Sequence, residues 1–259
     1  MSTLTFTSLG SGSSGNGTII RSETTTLLVD CGWSKRETLK RLTKRGIQPE
    51  QIDALLVTHR HGDHSKGVEV FTNQFWMPVC TSHGTMYGRR QLVRDESKFR
   101  RLQEGEPVQI GDISILPIRV PHDCIEPLQF VFTHDNVRFG LLTDIGHITD
   151  EVKESYQLCD TIFVESNHDL DMLWNGAYPE NLKQRIAGNF GHLNNEQTLD
   201  FLQSVWSERL NQVVIGHISQ ENNSLDLLHH HFVGLEDQLN VSYALQETGT
   251  DWFTVANVQ

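Results

Sequence analysis

The sequence predicts an α/β fold, a four-layer αββα sandwich in which two packed mixed sheets carry helices on both outer faces. Predicted strands come in runs that are followed by helices, and this pattern occurs in two roughly matching halves of the 259-residue chain. The chain also lacks a linker, a low-complexity stretch or an internal repeat. We therefore expect residues 1–259 to form a single domain.

The composition is typical of a soluble globular protein, with 37% hydrophobic and 21% charged residues. No apolar run approaches the ~20 residues that cross a bilayer, and Met1–Thr5 lacks the features of a signal peptide. The four cysteines lie far apart without a CxxC pair, which indicates a reducing compartment. We expect a cytoplasmic protein with no membrane partner, whose oligomeric state the sequence leaves open.

The first half begins with alternating and apolar runs that predict strands. Ser34 and Glu37 form a capping box that predicts the start of a helix, and Gly46 predicts its end. The remaining elements are a strand that ends at Thr58, a short helix and a largely helical stretch. The predicted ranges are strands at Leu4–Leu9, Thr18–Ile20, Thr26–Asp30, Leu55–Thr58 and Met77–Thr81, and helices at Ser65–Phe71 and Thr85–Arg101.

The second half contains four successive strands with turn residues between them, followed by alternating helices and strands. The tail is predicted to add two strands that close a sheet. The strands are Val108–Ile110, Ile113–Val120, Leu128–Thr133, Val137–Thr143, Thr161–Val164, Gln212–Ile215 and two within Val241–Val258; the helices are Thr149–Leu158, Pro179–Ile186, Asn195–Trp206 and Ser224–Asp237.

The stretch His59–His64 has the sequence HRHGDH and directly follows an apolar strand. His59 and His61 are two residues apart, so they point to the same side in extended backbone. Asp63 and His64 follow Gly62 and can turn toward a neighbouring point. Since histidine and carboxylate are common transition-metal ligands, one loop could serve two metals. The alternative is a polar loop that is merely rich in histidine.

Further histidines and acids follow other predicted strand ends. His122 and Asp144 lie just past two strands of the second half, and His217 follows the strand Gln212–Ile215. Loop residues at strand ends often form binding and catalytic sites, so these three residues are candidates for one site. His134 lies in a turn at the opposite end of its hairpin, and we leave it out of the site.

Several stretches together resemble the YycJ/WalJ branch of the metallo-β-lactamase superfamily, bacterial proteins associated with DNA exonuclease activity. HxHxDH after an apolar strand is the signature of the superfamily, while the NHD and GHLxN elements point to the branch. The stretches are Phe6–Asn16, Leu28–Gly32, His59–His64, Pro121–Asp123, Thr143–Gly146, Glu165–Asp169, Gly191–Asn195 and Gly216–Ser219.

The resemblance implies the αββα metallo-β-lactamase sandwich and a dinuclear metal site. It implies that one metal is held by His59, His61 and His122, the other by Asp63, His64 and His217, with Asp144 as the bridge. It also implies that Asp30 supports the metal loop, whereas a simple turn aspartate is the alternative. A donor set of nitrogen and oxygen atoms suits two divalent ions, Zn²⁺ or Mn²⁺.

Two such metals would bind phosphate oxygens and lower the pKa of a shared water, whose hydroxide then attacks. We expect Asp63 to ligate a metal and to orient the attacking water. His192 and His168 are candidates for the general acid or for a phosphate contact. The alternative for each is a supporting hydrogen bond to a ligand.

The net charge is −12, but the basic residues are unevenly placed. One cluster lies on the predicted helix after Ser34, and a second lies in Thr85–Arg101. Because nucleic-acid binding needs local positive charge, we predict that Lys40, Arg41, Lys44 and Arg45 contact a nucleic-acid backbone. The alternative is that both clusters are solvated helix faces.

The leading hypothesis is a dinuclear-metal-dependent hydrolase that cleaves phosphodiester bonds with a metal-activated hydroxide, as a DNA exonuclease. The basic clusters favour a nucleic-acid substrate. A small-molecule phosphodiesterase acting on cyclic phosphates is the alternative that the net charge favours. A metal-binding protein without hydrolytic activity is a third hypothesis, which the complete ligand set disfavours.

Overall fold

The computed structural model describes residues 3–257, and two seven-stranded sheets form its centre. In chain order the strands are β1 (Leu4–Gly10), β2 (Gly17–Arg21), β3 (Thr26–Val29), β4 (Ala54–Leu56), β5 (Val79–Thr81), β6 (Phe99–Arg101), β7 (Val108–Ile110), β8 (Ile113–Arg119), β9 (Leu128–His134), β10 (Val137–Leu142), β11 (Thr161–Glu165), β12 (Gln212–Gly216), β13 (Asn240–Tyr243) and β14 (Phe253–Val255).

Helices connect these strands, and most begin at a residue whose side chain caps the first turn. Ser34, Thr149 and Ser224, for example, each accept a hydrogen bond from a backbone N–H three residues on. The helices are α1 (Lys35–Lys44), α2 (Gly62–Ser65), α3 (Val68–Gln74), α4 (His83–Tyr87), α5 (Asp150–Tyr156), α6 (Leu170–Asn175), α7 (Glu180–Ile186), α8 (Asn195–Ser204) and α9 (Leu225–Glu236).

Both sheets are mixed, and the predicted fold class is confirmed. The first sheet has the strand order β14-β1-β2-β3-β4-β5-β6, and the second has the order β13-β12-β11-β10-β9-β8-β7. Strands β3 to β6 run parallel to one another, as do β10 to β13. Each sheet therefore combines an antiparallel part with a parallel part.

Three apolar clusters separate the layers. The middle cluster lies between the sheets and is rich in phenylalanine; Phe6 stacks on Phe139 with 4.2 Å between ring centroids. A second cluster joins the second sheet to residues of α5, α8 and α9. A third joins the first sheet to residues of α1, α3 and α4. This arrangement gives the four layers, and the burial of the apolar side chains between them drives their assembly.

The carboxyl ends of the parallel strands meet at one edge of the sandwich. The backbone N–H of Leu128, at the start of β9, donates to the Thr58 carbonyl just after β4, at 2.9 Å. This bond ties the two sheets together next to the histidine-rich loop. Residues that follow β3 and β4 therefore lie beside residues that follow β10, β11 and β12.

The prediction of a largely helical Thr85–Arg101 was wrong. Helix α4 ends at Tyr87, and Phe99–Arg101 forms strand β6, which pairs in parallel with β5. Lys98 helps to hold the segment before β6 in place, because its buried ammonium group donates to the Thr72 carbonyl and to Asn73 Oδ1, both at 3.0 Å. Tertiary contacts thus override the local helix preference.

The prediction that the tail closes one sheet was also wrong, because its two strands belong to different sheets. β13 pairs with β12 in the second sheet, while β14 pairs with β1 in the first. Val258, the end of the predicted range, lies outside the described residues. Helix α6 was not predicted. Within residues 3–257, no helix combines the length and apolar character needed to cross a membrane.

Candidate metal centre

The HRHGDH stretch begins as an extended segment after β4 and becomes helical at Gly62. His61 is the N-cap residue of α2, so Asp63 and His64 lie in its first turn. Backbone bonds fix this turn, since Asn16 N donates to the Asp63 carbonyl at 2.7 Å and Cys31 N donates to the His64 carbonyl at 2.8 Å. The loop after β1 and the end of β3 thus hold the stretch in place.

Three histidines converge beside this turn, and we call them the first cradle. His59 Nε2 and His122 Nε2 each lie 3.1 Å from His61 Nδ1. Burial is the main cause that lowers the pKa of all three rings, to about 4 for His122. The rings are therefore neutral near pH 7, and each has one lone-pair nitrogen available for a cation.

The outward nitrogens of the first cradle each have a partner. These are the Thr58 hydroxyl for His59 Nδ1 (2.9 Å), the Gly191 carbonyl for His122 Nδ1 (3.0 Å) and the Asp123 carboxylate for His61 Nε2 (3.0 Å). A carbonyl and a carboxylate only accept, so His122 and His61 carry their protons on these outward nitrogens. Their inward nitrogens are then two lone pairs 3.1 Å apart, an arrangement that a shared cation satisfies.

The second cradle consists of Asp63, His64, Asp144 and His217, whose ligand atoms lie within 4.8 Å of one another. His64 Nε2 lies 3.0 Å and His217 Nδ1 lies 3.2 Å from Asp144 Oδ2. Asp63 Oδ2 is 3.5 Å from His64 Nε2. Asp30 Oδ2 contacts His64 Nδ1 at 2.7 Å, which agrees with its expected supporting position.

Charge distinguishes the second cradle from the first. Burial opposes protonation of His217, but Asp144 and Glu165 outweigh it and raise its pKa to about 10. The pKa of His64 is also raised by Asp144 and Asp30 against the effect of burial. His217 Nδ1 and Asp144 Oδ2 are buried, and neither has a well-directed hydrogen bond among the described residues. Such atoms suit metal coordination.

Asp144 reaches both cradles. Its Oδ2 faces the second cradle, while its Oδ1 lies 3.8 Å from His122 Nε2 in the first. Asp144, Asp30 and His217 all follow strand ends with positive φ angles of 54°, 62° and 47°. Backbone strain of this kind concentrates at functional sites.

His192 lies beside both cradles and is 16% exposed in its side chain. Its Nδ1 lies 2.9 Å from Oε2 of Glu165, a carboxylate that is completely buried at the end of β11. The same Oε2 is 3.3 Å from His217 Nδ1. Burial raises the pKa of Glu165, but His192 and His217 outweigh it and lower it to about 2. Glu165 is therefore an anion that orients His192.

Sequence reasoning assigned no role to Glu165 or Asp123, although both lie in stretches that carried the family resemblance. Asp123 contacts His61, and Glu165 contacts His192 and His217. Both follow the rule that found Asp144, because they are carboxylates at or just after a strand end. Asn16 was also missed; its amide lies 3.0 Å from His64 Nε2.

His168 differs from the other predicted site histidines. It is fully buried, and neither ring nitrogen has a hydrogen-bond partner among the described residues. Burial and the neighbouring His192 lower its pKa to about 4. A catalytic role for His168 stays a prediction, and its burial favours His192 as the group that meets a substrate.

The structure removes Arg41 from the predicted nucleic-acid contacts. Its side chain is buried, and its Nη1 donates to the carbonyls of Leu9, Gln246 and Glu247 at 2.7–3.1 Å. The Arg45 guanidinium is also used internally, by Thr7 Oγ1 and the Thr248 carbonyl. Lys40 and Lys44 are exposed and stay predicted contacts.

Comparison with known families agrees with this geometry. The family described as the beta-lactamase superfamily domain matches residues 25–218. The chain belongs to the beta-lactamase superfamily. The exodeoxyribonuclease WalJ of Streptococcus pneumoniae serotype 2 is 33% identical over 95% of this chain and 94% of its own length. The exodeoxyribonuclease YycJ of Bacillus anthracis is 30% identical over 95% of this chain and 90% of its length.

Solved structures share the fold of this superfamily member. The metallo-beta-lactamase fold protein YhfI from Bacillus subtilis superposes with a TM-score of 0.72 over 98% of this chain and 100% of that one, at 14% identity. A diphosphatase from the PhnP family gives a TM-score of 0.67 over 99% and 100% of the two chains, at 16% identity. The chain thus has the fold and the donor set of a metallo-hydrolase that binds divalent metal.

Proposed function

We propose that this superfamily member is a DNA exonuclease that hydrolyses phosphodiester bonds with two divalent metal ions. The observation that carries the proposal is the pair of cradles that share Asp144. Two relatives that align over nearly the whole chain bear the name exodeoxyribonuclease. The proposal therefore combines a donor set that suits two metal ions with a likeness that extends well beyond the site.

In this proposal each cradle holds one ion and Asp144 contributes to both. Histidine nitrogens and carboxylate oxygens suit Zn²⁺ or Mn²⁺. When bound, the ions would act as Lewis acids, lower the pKa of a water and stabilise negative charge on phosphate. His59, His61 and His122 would hold one ion, and Asp63, His64 and His217 the other.

In this proposal two side chains, Asp63 and His192, move protons. The Asp63 carboxylate is 22% exposed, so it can accept a hydrogen bond from the attacking water. His192 has its Nδ1 held by the buried Glu165, which leaves Nε2 to donate a proton to the leaving oxygen. Both assignments use groups at the open edge of the site.

The test is incubation of metal-loaded protein with DNA and RNA strands labelled at one end. We expect stepwise shortening of DNA from an end, with Zn²⁺ and Mn²⁺ compared in parallel. Elemental analysis should find two ions per chain. Intact DNA under every metal condition would refute the nuclease proposal, and preferential RNA shortening would reassign the substrate.

A small-molecule phosphodiesterase is the second candidate. The burial of Arg41 reduces the exposed positive charge on a chain whose net charge is already −12. Cyclic nucleotides in the same assay separate the candidates, because a phosphodiesterase of this type would cleave them faster than DNA.

We further propose that the chain works as one domain in the cytoplasm. All four cysteines are free thiols, and three of them are buried. Burial raises the pKa of Cys31, Cys80 and Cys159 to about 12, so these thiols are unreactive. Such thiols are compatible with a reducing compartment. Fractionation of cells that produce the protein tests this proposal.

A further inference from the structure

A short loop carries an exposed aromatic ring next to the first cradle. We propose that Phe190 and Arg185 form a nucleotide-binding rim, in which Phe190 stacks on the base of a terminal nucleotide and Arg185 binds a neighbouring phosphate. This inference rests on the proposed nuclease function and deepens it. It assigns the substrate as a nucleic-acid end whose last base is unpaired.

The loop that bears Phe190 is fixed to the metal-binding residues. The Phe190 carbonyl accepts from the Asp123 N–H at 3.1 Å, and the next carbonyl, that of Gly191, accepts from His122 Nδ1 at 3.0 Å. His192 N donates to the Ile186 carbonyl at 2.9 Å. The backbone on both sides of Phe190 is therefore tied to a ligand histidine and to the end of α7.

Close packing makes this loop rigid. A Cβ atom at Gly191 would collide with the carbonyls of Arg185 and Ile186, so only glycine permits this approach. Gly146, just after the Asp144 bridge, is similarly pressed against Asn189 and Phe190 backbone. An aromatic ring on such a loop is already positioned before a ligand arrives, which lowers the entropy cost of binding.

The Phe190 ring itself faces solvent. It is 59% exposed and belongs to none of the three apolar clusters. His147 lies at its edge with 6.4 Å between ring centroids, and His147 Nδ1 is held by the Asn189 carbonyl at 2.8 Å. Single exposed apolar residues are common, so exposure alone decides nothing. What points to substrate is the position of its loop: the Gly191 carbonyl next to Phe190 accepts from His122 Nδ1, and His192 follows two residues after Phe190, so the loop borders the metal-binding residues.

Arg185 lies on the other side of Asp123. Its Nε donates to Asp123 Oδ2 at 2.6 Å, while Asp123 Oδ1 lies 3.0 Å from His61 Nε2. The side chain is 54% exposed. Within residues 3–257 its Nη1 and Nη2 groups make no hydrogen bond, so their four N–H donors remain for an anion. A guanidinium fixed through one edge is well suited to bind a phosphate with the other.

The two side chains together match the needs of an exonuclease. Every base has a π face, so stacking on Phe190 would accept any nucleotide as digestion proceeds. A phosphate contact through Arg185 would be equally independent of sequence. Base stacking requires the terminal base to leave its pair, and this is least costly at a duplex end or in a single strand.

The experiment is a double-mutant cycle between protein and DNA. Wild-type protein and Phe190→Ala are each tested on single strands that carry either a normal nucleotide or an abasic residue at the cleaved end. We expect the abasic residue to lower wild-type kcat/KM by about tenfold. The same substitution should have little effect on Phe190→Ala, because the ring that reads the base is missing.

Trp76→Ala is the matched control, since Trp76 is 67% exposed but precedes β5, at the opposite edge of the sheet from the metal loop. It should keep the full abasic effect. Arg185→Gln should lower kcat/KM equally for strands with and without the terminal base. Arg185→Lys should restore part of the lost kcat/KM. Metal content of each variant must remain that of the wild type, since Asp123 links Arg185 to His61.

A second measurement avoids catalysis. Metal-depleted protein is titrated into strands that end in 2-aminopurine, whose fluorescence falls on stacking. We expect quenching by the wild type and by Trp76→Ala, and none by Phe190→Ala. If the wild type is active and the abasic residue lowers kcat/KM as much in Phe190→Ala as in the wild type, the inference is overturned while the proposed function stands. A wild type that cleaves no nucleic acid would overturn the proposed function and the inference with it.

Discussion

The two cradles are neighbours that share Asp144, yet they differ in charge. The first is made of three histidines whose pKa values are lowered, so its nitrogens are neutral near pH 7. The second pairs two carboxylates with His64 and His217, whose pKa values are raised. A cation can enter the first without displacing a proton, whereas in the second it must replace protons that neutralise Asp144. The same ligand types thus yield two sites of different character.

Their supports differ in the same way. The outward nitrogens in the first cradle contact Thr58, Gly191 and Asp123, so the histidines are oriented mainly by neutral groups and by one half-exposed carboxylate. In the second, the buried Asp30 and Glu165 contact His64 and His217. Buried carboxylates strengthen their histidines as ligands but also hold protons on them. Geometry and charge together, rather than residue type alone, therefore determine how each cradle binds.

The strongest test removes what the cradles share. Asp144→Asn should lose both ions and reduce hydrolysis by roughly a thousandfold or more, because several kcal/mol of charge stabilisation depend on the bound ions. Elemental analysis and turnover measure the effect. Asp135→Asn is a matched control, since Asp135 has a similar positive φ of 49° but precedes β10 at the opposite end of the strand. Two ions retained in Asp144→Asn would show that the cradles are independent.

The next test removes one cradle at a time. Asp63→Ala should leave one ion per chain, in the first cradle, and should abolish most turnover while the fold is kept. His61→Ala should leave one ion in the second. Elemental analysis, with circular dichroism as the control for folding, distinguishes the two. Substantial turnover in a folded Asp63→Ala variant would contradict its role at the attacking water.

Glu165 supports the second cradle and His192 together. Glu165→Gln keeps the shape of the side chain but removes its charge, and we expect a loss of about 10- to 100-fold in activity or in metal affinity. The pH dependence of metal affinity should also become flatter, because Glu165 contributes to the raised pKa of His217 and thus to the proton that the metal must displace. A variant with wild-type activity and an unchanged pH dependence of metal affinity would mean that Glu165 is only a packing residue.

Proton release gives a direct comparison of the cradles. A raised pKa means that His217 is protonated at any pH below about 10, so metal binding to the second cradle must release protons. Its affinity should rise by about tenfold per pH unit for each proton displaced. The first cradle should show little such dependence near pH 7. Calorimetry of His61→Ala and Asp63→Ala, in buffers of different ionisation enthalpy, measures each cradle separately, and equal proton release would refute the difference.

The smallest expected effect concerns helix α1, which follows the Asp30 support of the second cradle. Lys40→Gln with Lys44→Gln should reduce the salt slope of DNA binding by at most about 0.9 per lysine, because each would contact one phosphate. Arg41→Gln should instead destabilise the fold through its lost internal bonds. Measurement of DNA affinity across salt concentrations gives the slope for the wild type and for the lysine variant. An unchanged slope would leave these lysines as solvated residues, and substrate would reach the site by another face.

The sequence, together with its resemblance to a known family, predicted the sandwich and named the residues that the structure brings together as the two cradles. Apolar runs that end in histidine or aspartate are visible without coordinates, because strand periodicity and the HxHxDH spacing are local properties. Helix α1 was equally predictable from its cap at Ser34 and its stop at Gly46. The errors fell at Thr85–Arg101 and in the tail, where partner strands distant in sequence decide the structure.

Only the tertiary structure decided what each charged group does. Arg41 has the spacing of a solvated cation, yet the carbonyls of three distant residues bury it. Asp123 and Glu165 become supports because the fold brings them to His61 and His192, which lie 62 and 27 residues away in sequence. Burial and neighbouring charge set protonation, and both depend on contacts between segments that no local pattern records. For that reason the sequence determined which atoms can bind metal, while the fold determined their charge and orientation.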